Sequence, residues 1–231
     1  MFTASPSAID HNNEVSSQLV SLDSVNVTWT IPSSNNAPIT SYTLSLCQIG
    51  PDGNPSCGPD NDFRVNLNDP PNNLVSVSPT QLRYRFVDLV PQQMYEVRIR
   101  AQNSVGLRMK PVEGNGHRFS SATATDGQVV NLSLIRTTTV VILTWNLSTL
   151  AMATSGLNVS FTVSFFHDGN PGSVNSTIVD NNETLGFSAD LSDTGGASHT
   201  FRVIANYISP LLESSPVEMT NVATLRQGKW H

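Results

Sequence analysis

The stretch from Leu89 to Gly106, LVPQQMYEVRIRAQNSVG, decides how the chain is read. Pro91 and its polar neighbours mark a turn before Met94, and Asn103 to Gly106 mark another. Between them the residues alternate. Tyr95, Val97, Ile99 and Ala101 fall on one face and Glu96, Arg98, Arg100 and Gln102 on the other, the period of a strand with one side in a core. The spacing predicts a central strand of a β-sandwich.

Working outward, Leu82, Tyr84 and Phe86 alternate with Arg83 and Arg85 just upstream. Val25, Val27 and Trp29 alternate with Asn26 and Thr28 until Pro32 ends the run, which turns Trp29 inward as the largest piece of the core. Tyr42, Leu44 and Leu46 alternate with Thr43, Ser45 and Cys47, and a Gly- and Pro-rich loop from Gly50 to Pro59 leads to a short strand, Phe63 to Val65. Asn66 to Asn73 read as loop. Residues before Ser17 read as irregular, apart from a first edge strand near Ser7 to Ile9. A long loop, Leu107 to Gly116, precedes a closing strand from Arg118 to Thr125.

The second half repeats this order. Leu132 and Leu134 open it; Val141, Leu143 and Trp145 repeat the inward Trp; Val159, Phe161, Val163 and Phe165 follow. Then come Val174 to Ile178, Thr184 to Leu191, and a last strand from Pro216 to Ala223. Phe201, Val203 and Ala205 align with Val97, Ile99 and Ala101, and His199 stands where Tyr95 stood. About seven short strands twice over predict an all-β fold of two seven-stranded immunoglobulin-like sandwiches in tandem: domains 1–126 and 127–225, with a tail 226–231. At 231 residues each half is long enough for its own core.

A net charge of −6 with 13% charged residues argues against a nucleic-acid binder, which needs a cationic surface. No run reaches the roughly 18 apolar residues of a membrane span, so none is expected in this chain. Met1 to Asp10 lack the look of a secretory signal, and the chain stops abruptly at Lys229, Trp230 and His231; it is expected to be a piece of a longer protein.

Cys47 and Cys57 are the only cysteines. Bridged, they close a loop and imply an oxidising compartment; the alternative is two free thiols. Six sequons occur, at Asn26, Asn131, Asn146, Asn158, Asn175 and Asn182, where roughly four or five would arise by chance in so Asn-, Ser- and Thr-rich a chain. Asn26 alternates against Val25, Val27 and Trp29 and is expected to face solvent. Arg98 and Arg100 share the outward face of the central strand, with Arg64, Arg108, Lys110 and Arg118 on the same sheet or its adjoining loop. That grouping reads either as a local site for sulfated glycans or an acidic protein, or as a solvated face.

No catalytic residue, metal ligand set or cofactor site is expected. The His residues are scattered, and Ser198 beside His199, with Asp193 near, cannot work as nucleophile and base because strand neighbours point to opposite faces. Asp60 and Asp62 read as turn formers in a loop, the alternative being a weak calcium contact.

Trp29 in the second strand, Tyr42 opening the third, and the series Leu89, Pro91, Tyr95, Val97, Ala101, Asn103, Gly106 resemble fibronectin type III domains in tandem; Trp145, Leu191, Phe201 and Ala205 carry the resemblance into the second half. An immunoglobulin domain would place Cys in the second and sixth strands and Trp on the third. The chain departs from the family at His199, where a Tyr hydroxyl normally bonds back to the preceding corner. It also lacks an Arg-Gly-Asp tripeptide and paired Trp-Ser motifs, so integrin binding and cytokine recognition are not carried over. The resemblance implies a non-catalytic extracellular module for protein contact or adhesion, with Leu107 to Gly116 as the contact loop. The alternatives are an accessory ectodomain of a receptor tyrosine phosphatase, a receptor kinase or a secreted hydrolase, and an intracellular scaffold.

Overall fold

Trp29 and Trp145, the two indoles that alternation turns inward, are each sealed between a pair of sheets at 0% and 2% exposure. The computed structural model describes residues 4–57, 61–105, 116–154, 157–168, 170–180, 185–191 and 197–223. It divides into two compact units, Met1–Ser121 and Ala122–His231.

The first unit contains β1 (Val15–Ser21), β2 (Ser24–Thr30), β3 (Ile39–Ile49), β4 (Pro55–Ser56), β5 (Asp62–Asn66), β6 (Leu74–Ser78), β7 (Gln81–Phe86), β8 (Met94–Asn103) and β9 (His117–Ser120). One sheet runs β1-β2-β7-β6; the other runs β4-β3-β8-β9, with β5 also on β3. The alternating residues of the central strand behave as the pattern requires, with Tyr95, Val97, Ile99 and Ala101 all buried against Trp29, Tyr42 and Leu44. Trp29 meets Tyr42 edge to face at 5.3 Å, a geometry that joins the two sheets through their largest side chains. Burial pushes the Tyr42 hydroxyl up to about 12.

The second unit contains β10 (Val129–Arg136), β11 (Val140–Leu147), the single helical turn α1 (Thr149–Met152), β12 (Asn158–His167), β13 (Asn170–Asp180), β14 (Gly186–Asp190), β15 (His199–Ser209), β16 (Leu212–Glu213) and β17 (Val217–Val222). Its sheets are β10-β11-β14 and β13-β12-β15, with β16 and β17 both on β15. Trp145 meets Phe161 edge to face at 5.3 Å, repeating the contact between second and third strands.

The corner before β8 shows how a local sequence fixes a turn. Asp88 and Gln92 both hold positive φ, at 57° and 58°, an unfavourable conformation for side-chain-bearing residues. The Tyr95 hydroxyl accepts the Val90 N–H at 2.9 Å and so ties the corner to the strand it feeds. In the second unit His199 replaces that Tyr: its Nδ1 pairs with the Ala197 carbonyl at 3.0 Å. A tie is made instead from the far end of β15, where the buried Tyr207 hydroxyl donates to the Gly127 carbonyl. The absence of a side chain at Gly127 gives this contact room: a Cβ would sit 2.9 Å from Leu212 Cδ2 and 3.0 Å from the Tyr207 ring.

The N-terminal segment differs from expectation. Ser7 to Ile9 is not a strand; the first strand begins at Val15, and 4–14 forms a strap along the open edge of β8. Ile9 is fully buried, Ser7 and Ser33 exchange bonds through Ser7 N–H and Oγ, and the Asn103 amide donates to the Ala4 carbonyl. β9 pairs with β8 only through Met94 to Val97, so the Ile99 N–H would be left open, and His11 Nε2 accepts it at 3.1 Å.

That bond requires an unprotonated Nε2. Burial foremost, then the facing His117 and Arg98, hold the His11 imidazole below its ordinary range, against the pull of Glu96 and Asp10. A base whose folded-state value is depressed contributes stability that is complete above its unfolded value near 6.5 and is lost as pH falls through the lower folded value. Thermal melting of the first unit is therefore expected to drop as pH falls below about 6.5, and His11→Gln is expected to remove much of that pH dependence. An unchanged pH profile in the variant would contradict the assignment.

Candidate binding face of the first unit

The outward residues of β8 lie on one face with those of β3, β5 and β9. In register, Arg100 faces Thr43 and Thr43 faces Arg64; Arg98 faces Ser45 and Ser45 faces Asp62; Cys47 faces Glu96 and Glu96 faces Arg118. The strand pattern thus brings Arg64, Arg98, Arg100 and Arg118 together. Arg83 and Arg85 are on β7, in the other sheet, where Arg85 donates to Ser24 at 2.9 Å. Arg108 and Lys110, with the rest of 107–115 of the contact loop, lie outside the described residues; its last residue, Gly116, is described.

Alternation sends Glu96 outward, yet it is fully buried. Arg98 donates to its Oε1 at 2.8 Å from Nε and 2.7 Å from Nη2, and Arg118 Nε donates to Oε2 at 3.0 Å. The two arginine stems cover the carboxylate while their side chains stay 41% and 35% exposed. Burial opposes the charge of Glu96, but the bonds from Arg98, the Gly116 N–H and Arg118 outweigh it and hold the carboxyl below its usual range. Gly116 comes so close that a Cβ would lie 2.4 Å from the Val97 carbonyl oxygen. The signal for this cluster was an Arg two residues after the Glu on one face; the pairing with Arg118 is not visible in sequence.

Cys47 and Cys57 are bonded to each other. The bridge draws the 50–57 hairpin toward β3, and Cys47, though on the outward face, is fully buried. Asp62 bonds the Ser45 hydroxyl and pairs with Arg100 at 3.5 Å, both side chains about two-fifths exposed, a pair that contributes little. Asp62 is therefore a strand residue, not a turn former; Asp60 lies outside the described residues. The face carries four guanidiniums against two carboxylates, a local excess of two positive charges in a chain of net −6.

Elsewhere the described residues hold no group of three or more His, Cys, Asp or Glu placed for a metal. His199 is buried against Phe165, and Asp193 lies outside the described residues. Among described residues no helix is long and apolar enough to cross a membrane.

Residues 11–114 match the family model of the Fibronectin type III domain. The first unit is a fibronectin type III domain. With the second unit, the fold is two such sandwiches in tandem, as the repeated Trp contact and the strand order require. Among solved structures the chain is similar to the crystal structure of chicken CNTN1 FN1-FN3 domains, at 17% identity and a TM-score of 0.40. The likeness covers 96% of this chain and 66% of that one. No curated protein sequence matches it. The fibronectin type III unit has its Tyr corner tie intact, and its outer face departs from a merely solvated sheet in one respect: Arg98 and Arg118 are held by Glu96, and Arg100 meets Asp62 and Ser45.

Proposed function

We propose that the chain is a non-catalytic extracellular binding module from a larger cell-surface or secreted protein, and that its first unit docks an acidic protein partner on the outer face of the β4-β3-β8-β9 sheet. The observation that carries this is the four-arginine face. Arg98 and Arg118 are oriented by a buried carboxylate, so little side-chain entropy is left to lose when their exposed edges meet a partner's carboxylates. A local excess of positive charge on an acidic chain also steers an acidic partner to this face and away from the rest. The contact loop, Leu107 to Gly116, joins β8 to β9 and so leaves from the same sheet.

The Cys47–Cys57 bridge supports an oxidising compartment. Of the sequons, Asn131, Asn146, Asn158 and Asn175 are exposed; Asn26 is half-buried, less open than alternation implies, because β2 sits between β1 and β7; Asn182 lies outside the described residues. Five of the six belong to the second half and Asn26 to the other sheet of the first, so a sugar coat on them leaves the arginine face bare.

The test is binding of a glutamate-rich peptide and of a highly sulfated oligosaccharide to the full chain and to the Arg64→Ala/Arg100→Ala variant, which leaves the Glu96 cluster in place. The peptide is expected to bind, to lose affinity about tenfold in the variant, and to weaken as salt rises from about 0.05 to 0.3 M. Equal binding by chain and variant overturns the face as the site; preference for the oligosaccharide replaces the protein partner with a sulfated glycan.

A further inference from the structure

β13 is paired with β12 on one side, and no described strand pairs with the other side of its run from Val174 to Val179. It is eleven residues long, and its only charged residue is Asp180 at its end. Val174 and Ile178 are 54% and 71% exposed. An edge of this kind is a template for another strand, and proteins normally blunt it by shortness, charge or proline. The one proline of β13, Pro171, is its second residue, and the run from Val174 to Val179 has neither charge nor proline. The matching edge in the first unit, β5, is short and charged: five residues, with Asp62 and Arg64 among them. At the middle of β13 stands instead the sequon Asn175-Ser176-Thr177.

Asn175 faces Phe165, whose ring stacks at 5.4 Å on the fully buried Phe201. Cross-strand partners share a face, so Asn175 lies on the core side of the sheet at its rim and is exposed there. A bulky group on its amide stands at the outer edge of β13, beside the run from Val174 to Ile178.

We infer that Asn175 carries an N-linked glycan that shields this edge, and that without the glycan two copies of the chain pair through β13. An antiparallel pairing centred on Ser176 sets Val174 of each copy against Ile178 of the other and brings no charge against a like charge. It also places both Asn175 residues beside the two-fold axis, where a sugar on either copy prevents the approach.

The sugar depends on the extracellular reading; the edge does not, and the experiment has an arm for each. Full-length chain made in bacteria, and so unglycosylated, is expected to show a concentration-dependent doubling of mass in sedimentation at up to about 100 µM, and Ile178→Lys is expected to return it to monomer. Chain secreted from eukaryotic cells behind a leader is expected to be monomeric with Asn175 occupied, and Thr177→Ala, which destroys the sequon and keeps the asparagine, to dimerise. A monomeric bacterial protein, or a secreted monomer with Asn175 bare and other sequons filled, overturns the inference. Bare asparagines at all six sequons strike the extracellular reading as well.

Discussion

Trp29→Ala is expected to cost the first unit about 3–5 kcal/mol, most of the stability of a domain this size, while the second unit melts as before. The indole is fully buried, meets Tyr42 edge to face at 5.3 Å, and fills space between the sheets that a close-packed core closes only in part after truncation. Val15 and Leu82 flank Trp29 in register across β1 and β7, so the loss loosens three strands at once. Calorimetry of the whole chain should show one transition collapse and the other hold. Joint loss of both would mean that the halves share one cooperative core and are not separate sandwiches. Trp145, at 2% exposure on Phe161, is expected to do the same for the second unit.

Removing the bridge by Cys47→Ala with Cys57→Ala is expected to cost the first unit about 3 kcal/mol, from the entropy returned to an unfolded loop whose ends are ten residues apart in sequence. That corresponds to roughly 10 °C of melting temperature. Reductant should lower the first transition by a similar amount and leave the second where it is. Because Cys47 faces Glu96 across the strands, the loss is expected to extend to the arginine cluster and to weaken acidic-peptide binding beyond what the stability change accounts for. A melting temperature that does not respond to reductant would show that the bridge contributes nothing to the fold.

Most of the strands were legible because burial writes itself into alternation: Val25, Val27 and Trp29, or Phe201, Val203 and Ala205, have one face in a core and spell it out. The strap of 4–14 was not, because one large apolar side chain, Ile9, among small and polar ones has no period to reveal it, and its bonds run to residues far along the chain. β6 was missed for the opposite reason. Its residues are largely exposed, and only backbone pairing with β7 makes it a strand. The closing strand of the first unit was drawn too long: after Ser120, Ser121 turns to bond Val90 and Gln93 at the corner.

At the site, alternation put Arg98 and Arg100 on one face and could say nothing of what lay over them. A face assignment gives direction, whereas burial of Glu96 needs Arg118 from another strand and Gly116 from the connection between them. The second unit's replacement for the missing Tyr, Tyr207 on Gly127, was hidden for the same reason, since its partner is eighty residues away.

The most direct measurement is peptide mapping of the protein purified from its own cells. The account predicts a Cys47–Cys57 linked peptide and glycan on sequon asparagines of the second unit. Two free thiols together with six bare asparagines would place the chain in a reducing compartment and contradict it.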